Sequence, residues 1–435
     1  MNKADENFPV NPQILDIDSI TVKLWDAKGD ATEIIDGVHG EDFHVAQGDS
    51  RITLTETCNI NLEEWDAYEF VFRLERHLTT SENVFIKLRN GNTELLNSNL
   101  GAILRDTPYS NQLFRLRKAV KDIPNYDTIS HTVDNVQLIF ITGDTTYTIT
   151  MYSIKFIKTK PCVFISFDGG WTGVIDLALP IMTKYGIKGT SYVEIQYMTG
   201  EKTRSDHMTA EQVRVLDTNG WDISNHSWHH RNWGPDSTYT DEECEEDMKY
   251  SRNWLLQSGF VRGANFYAAP HGVTNDNRVT IFDKYMKYYR AGSSSDYDGF
   301  IFPCGLKLTA NGRNNVIPYD TFGGTSPTAD RILSKINSGI NKGKSICINF
   351  HNIVDDKPEG ETYDAEEFPI GEFTTLIQTL ATMRDNGICY VLPNSVVWYG
   401  CHSAEVYDNI NAHAEMLGFN GKIISLDANK NLETV

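Results

Sequence analysis

Between residues 19 and 158 the apolar positions come in short runs that alternate with polar ones. Ile20 to Trp25 (ITVKLW), Val84 to Arg89 (VFIKLR), Val136 to Ile141 (VQLIFI) and Thr148 to Phe156 (TITMYSIKF) are the clearest. Side chains of a strand point to its two faces in turn, so a period of two marks strands with one buried face. Bounded by Gly, Asn and Asp, about eight such strands predict an all-β sandwich over 19–158. Residues 1–18, polar and carrying two prolines, read as an extended N-terminal arm.

The pattern changes at Lys158 to Pro161. Cys162 to Phe167 (CVFISF) is apolar throughout, as a strand buried on both faces is. Helical spacing follows over Val174 to Tyr185, then a short strand over Gly189 to Val193. Ala210 to Asn219 reads as a helix capped by Thr209, and Asp241 to Ser258 as a longer one stopped by Gly259. Further strands are predicted at Phe266 to Ala269, Ser345 to Phe350 and Cys389 to Leu392, with helices over Ala329–Gly339 and Ile370–Asn386 before the last two. Strand–helix alternation over 159–401 predicts an α/β barrel. Residues 402–435 read as a polar tail with a short helix-like stretch.

Charge and cysteine usage narrow the function. The 435 residues carry 39 basic and 59 acidic side chains, a net charge of -20. A groove that tracks phosphates needs a basic excess, so nucleic acid is not the expected partner. No apolar run is long enough for a membrane-spanning helix, which excludes membrane insertion by that route. Seven cysteines are present without a CxxC pair. Neither a zinc ribbon nor a disulfide framework is therefore expected, and Cys162 and Cys347 read as reduced core residues. The N-terminus lacks the apolar stretch of a signal peptide.

Catalytic residues of an α/β barrel sit at the C-terminal ends of its strands. Four polar clusters fall there. Asp168, in SFDGGW, ends a buried strand; burial would raise its pKa and suit it to general-base work, and its bland alternative is a helix cap. His226, His229 and His230 lie within five residues, and His226 and His230 would be neighbours on a helix, a common way to hold a divalent metal. Ordinary surface or core histidines are the alternative. Pro270, His271 and Gly272 form a turn able to aim backbone N–H groups at an oxyanion, or simply a turn. His351 ends the strand INFH, where it reads as a general acid or as a structural histidine.

In this order the clusters resemble the polysaccharide deacetylase family, the NodB-homology fold of carbohydrate esterase family 4. SFDGGW is similar to the family's T-F-D-D-G start and GWDISNHSWHH to its G-x-E-I-x-N-H-[ST]-x-x-H segment, including Trp228. NFYAAPHG is similar to its F-R-x-P-x-G turn, and INFH to its L-x-H end. The resemblance covers roughly 160–400 and implies a distorted (β/α) barrel that hydrolyses acetyl groups of sugars with a divalent metal, zinc in many members. It implies Asp168 as base, His226 and His230 as metal ligands, and His351 as acid. Two positions depart from the pattern. Gly169 stands where the family has a third metal ligand, and Ala268 where it has an Arg that orients the base. The implied metal site is thereby weakened, with Asp168, His229 or waters as the alternatives that would fill the gap; Gly169→Asp is expected to rebuild it. His271 stands where the family often has an aromatic residue, and Trp171 and Trp228 are aromatics expected around the cleft.

The strand pattern of 19–158 also resembles a jelly-roll carbohydrate-binding module, and its VKLWDAKGD opening is similar to N-terminal modules of phage baseplate proteins. The expected function is thus metal-dependent deacetylation of a polysaccharide or cell-surface glycan. It would act as a phage tail component, released by lysis and assembled in a virion or as a homo-oligomer, with a cytoplasmic location as the alternative. The alternative function is a weak or inactive deacetylase-fold protein that binds glycan.

Overall fold

A computed structural model describes residues 21–26, 34–35, 38–39, 41–45, 51–76, 78–101, 112–141, 143, 146–158, 161–272, 276–286, 288–293, 316–321, 327–395, 424–426 and 432–434. The expected arm at 1–18 lies outside the described residues, and so does the tail at 402–435 apart from two short strands.

Two antiparallel sheets occupy the N-terminal part. One orders Thr21–Asp26, Tyr147–Ile157, Ala67–Leu74 and Gln112–Ala119, with Glu41–Val45 also on Tyr147–Ile157; the other orders Ile52–Asn61, Thr132–Ile141, Asn83–Asn90 and Thr93–Asn99. Alternate residues of both sheets, among them Phe70, Phe72, Ile149 and Met151 from one and Val84, Ile86, Val136 and Leu138 from the other, form one hydrophobic cluster.

Between Cys162 and Leu392 eight strands form one parallel sheet: β1 (Cys162–Asp168), β2 (Thr190–Val193), β3 (Asp222–Asn225), β4 (Phe266–Ala268), β5 (Tyr288–Ser293), β6 (Val316–Thr321), β7 (Ile346–Phe350) and β8 (Tyr390–Leu392). They pair in the order β2-β3-β4-β5-β6-β7-β1-β8, and β1 also pairs with β2. The pairing therefore returns on itself: the C-terminal half of β1 meets β2 and its N-terminal half meets β8. Every residue of β1, β2 and β3 is buried, which explains their continuous apolar or small-residue character. β3 and β6 were not expected, and β5 only as a strand end near Arg290, since polar residues break their apolar runs.

Helices α1 (Leu179–Lys184), α2 (Ala210–Thr218), α3 (Asp241–Ser258), α4 (Asp276–Tyr285), α5 (Ala329–Ile340) and α6 (Ile370–Asp385) connect the strands. α1 follows a π-helical turn over Val174–Ala178. Thr209 and Thr240 each close a capping box, with Gln212 and Glu243, and so satisfy N–H groups that a helix start leaves unpaired. Gly259 ends α3 at φ 95°, a backbone region that favours glycine. Cys162 and Cys347 are buried and form no disulfide among the described residues. Among the described residues no helix is long and apolar enough to cross a membrane.

Candidate active site

The four clusters meet at the C-terminal ends of the barrel strands. Asp168, Trp171, His226, His229, His230, His271 and His351 all line one cleft of 810 Å³.

Asp168 closes β1 and is 4% exposed. Asn349 Nδ2 donates to its Oδ2 at 3.0 Å, and the Arg290 guanidinium pairs with its Oδ1. Ser166 Oγ donates to Asn349 Oδ1 at 3.1 Å, which fixes that amide's orientation. Arg290, itself 1% exposed, lies over the Tyr192 ring with its guanidinium carbon 4.6 Å from the centroid. Burial alone would raise the Asp168 pKa, but the charge of Arg290, aided by His226, His351 and His230, holds it below the usual range. This corrects the expectation of a raised carboxyl: the desolvation argument was sound, and the buried cation outweighs it.

Arg290 was the residue that sequence reasoning missed. The family's arginine aligns with Ala268 on β4, and the arginine found here comes from β5. The two strands are in register with Ala268 opposite Arg290, so the guanidinium enters the site one strand over. A lone Arg in the apolar run YYRAG was the available signal. Asp296 and Asp298, which follow this strand in sequence, lie outside the described residues.

His226 and His230 come together on a loop after β3 rather than on a helix. Ser227 and His230 have φ of 68° and 55°, which breaks any helical path. Polar side chains hold the turn: Asn225 Oδ1 accepts from Ser227 N at 2.7 Å, and Ser227 Oγ from His230 N at 2.7 Å. The two imidazole centroids are 4.8 Å apart. The Ala268 carbonyl, 2.9 Å from His226 Nδ1, can only accept, so Nδ1 carries the proton and Nε2 a lone pair. Burial, opposed by Asp168, lowers the His226 pKa; burial, with His226 and His271 beside it, pushes His230 down to about 3. Both rings are thus neutral at physiological pH.

The supporting residues divide. His229 does not join the pair: Nε2 lies 3.1 Å from Glu201 Oε1 and Nδ1 3.9 Å from Asp247 Oδ2, and these carboxylates raise its pKa. His271 joins it, with its ring 4.7 Å from that of His230. Trp228 is a core residue whose indole N–H donates to Glu201 at 2.6 Å, and neither it nor Pro270 lines the cleft. The turn's value as an oxyanion site shrinks, since Pro270 has no N–H and Gly272 N donates to Ala269 O at 3.0 Å. His351 follows β7, and its Nδ1 is buried without a hydrogen-bond partner among the described residues.

Residues 157–288 match the family model described as polysaccharide deacetylase. This segment belongs to the polysaccharide deacetylase family. A Bacillus subtilis protein named as a polysaccharide deacetylase, YxkH, is 27% identical over 126 residues, which cover 29% of this chain and 42% of that relative. The match spans less than half of that relative's length. Among solved structures, BA3943, a CE4 family pseudoenzyme from Bacillus anthracis, is 14% identical with a TM-score of 0.34, covering 55% of this chain and 65% of that one. A family 4 acetyl xylan esterase from Clostridium thermocellum, solved in complex with a cobalt ion, is 17% identical with a TM-score of 0.34, covering 55% and 90%.

The residues present match two of the three metal ligands that a polysaccharide deacetylase implies. Two neutral imidazoles face the cleft, but among the described residues no group of three His, Cys, Asp or Glu side chains is placed to hold one ion. Asp168 is engaged by Arg290 and Asn349, and His229 by Glu201 and Asp247. At Gly169, φ is 90° and a Cβ would meet Trp171 Nε1 at 2.7 Å, so a side chain there is both strained and blocked. The complete three-ligand site does not fit this chain.

Proposed function

We propose that the cleft hydrolyses acetyl groups on a polysaccharide. The observation that carries this reading is an ionised, doubly anchored carboxylate, Asp168, sharing one cleft with two neutral histidines and His351. In the proposed reaction Asp168 accepts the proton of an attacking water, oriented by Arg290 and Asn349 so that its remaining lone pairs face the cleft. His351 supplies a proton to the departing sugar nitrogen or oxygen. We place the expected divalent ion, zinc on the resemblance, at His226 and His230 alone; two ligands hold it weakly, and no step is assigned to it. We read residues 19–158 as a separate β-sandwich module, supported by the shared core of the two antiparallel sheets, and assign it glycan attachment.

The blocked third-ligand position favours a second reading, a deacetylase-fold protein that binds glycan with little turnover. Acetate release from acetylated polysaccharide, measured with chelator and with added zinc, separates the two. Release that zinc enhances supports hydrolysis. No release under either condition, with glycan binding retained, supports the second reading.

A further inference from the structure

Away from the reacting cluster, the cleft is lined by a group of different chemistry: Trp171, Tyr197, Lys202, Arg204 and His207. His207 sits between two rings, 4.5 Å from Trp171 and 4.2 Å from Tyr197 by centroid. Lys202 Nζ lies 5.4 Å from the Tyr197 ring centre, and the Arg204 guanidinium carbon 5.4 Å from that of Trp171. Backbone bonds tie this segment to the end of β1: Thr172 N donates to Asp206 O at 2.9 Å and Met208 N to Gly170 O at 2.8 Å. A ring face helps hold a cation in place, here Lys202 over Tyr197 and Arg204 over Trp171.

The nearby acids are mostly engaged. Asp206 accepts from both Arg204 nitrogens, at 2.9 and 2.6 Å, and faces His207 at 2.8 Å. Glu201 takes Trp228 and His229. Glu194 accepts from Gln196 at 2.7 Å, and burial pushes its carboxyl up to about 7, which reduces its negative charge near neutrality. Glu366, which follows His351 in sequence, lines the cleft as well, as does Asp168, already engaged by Arg290 and Asn349. Lys202 is exposed and forms no ion pair among the described residues. A chain of net charge -20 thus places on the wall of its cleft an ammonium that makes no close ion pair among the described residues, with Glu194 within electrostatic range.

We propose that this wall is a subsite for an acidic sugar, so that the glycan carries a carboxylate-bearing unit next to the acetylated one, with Lys202 as the principal contact. The proposal rests on reading the cleft as a deacetylase site and adds the class of substrate. A free ammonium at a cleft wall gives specificity for a complementary charge, and the aromatic neighbours fix its position.

The test is equilibrium binding to the full chain of two hexasaccharides: alternating glucuronate and N-acetylglucosamine, and N-acetylglucosamine alone. Wild type is expected to bind the acidic hexamer about tenfold more tightly at low salt, an advantage that shrinks as salt screens it. Lys202→Gln should abolish the advantage and Lys202→Glu reverse it; the residue is exposed, so both variants should fold. Equal binding of the two hexamers by wild type, or an advantage unchanged in Lys202→Glu, overturns the proposal. Acetate release reports on the function and the affinity ratio on the subsite, so either can fail while the other stands.

Discussion

The state of Asp168 is set by one buried partner. Removing one member of a buried ion pair leaves an uncompensated charge and costs about 3–5 kcal/mol. Arg290→Met should therefore lower the unfolding midpoint in denaturant and raise the Asp168 pKa. Because the native carboxyl is held below its ordinary range, its contribution to stability is present above the unfolded pKa and is lost only as pH falls through the depressed value. In the variant, any acetate release should fail at a higher pH on the acid side. Gly169 carries the opposite lesson. The sequence pattern recommends Gly169→Asp as a repair, whereas its φ of 90° and the Trp171 indole predict a loss of about 1–2 kcal/mol and no gain in metal affinity, checked by thermal unfolding and zinc titration. His230 adds a pH signature. Its folded pKa, about 3, lies below the unfolded value, so its contribution is whole above roughly pH 6.5 and lost as pH falls toward 3. Against His230→Gln, wild type should lose up to about 1.4 kcal/mol per pH unit across that window, measured by denaturant titration.

Among the elements, α3 links local sequence to the site. Asp247 Oδ1 accepts from Trp228 N at 2.8 Å, and Ser251 Oγ accepts from Asn225 at 2.8 Å, so one helix face anchors both ends of the histidine loop. Thr240→Ala removes the capping bond at the start of that helix and should cost about 1 kcal/mol, seen as a lower thermal midpoint and faster amide exchange in α3. This helix was legible because its cap, its acidic first turn and its terminal Gly259 all agree. The histidine segment is not helical, and spacing at i and i+4 says only what a helix would do. Asn225 and Ser227, both turn-forming, were the competing signal. β1, β4, β7 and β8 stood out as apolar runs. β5, which delivers Arg290, did not, because a buried cation looks like a surface residue until its partner on β1 is known.

Across the molecule, the change of pattern at Lys158 to Pro161 coincides with the passage from antiparallel to parallel sheets. Polar contacts join the two sides among the described residues: Lys344 pairs with Asp122 at 2.8 Å and Lys121 donates to Asn341 O. The convergence of Asp168, His226, His230 and His351 followed from their places at strand ends, a rule that needs only the order of elements. The closure of the barrel through β1 and β2 is a long-range pairing that no local pattern encodes. The central claim is that this cleft is a hydrolytic site with Asp168 as its base. The measurement that tests it most directly is acetate released from acetylated polysaccharide by wild type and by Asp168→Asn, each first shown to be folded by near-ultraviolet circular dichroism. The account predicts release by wild type and a loss of roughly a hundredfold or more in the variant. Release by the variant at the wild-type rate, or none from wild type even with zinc supplied, would contradict it.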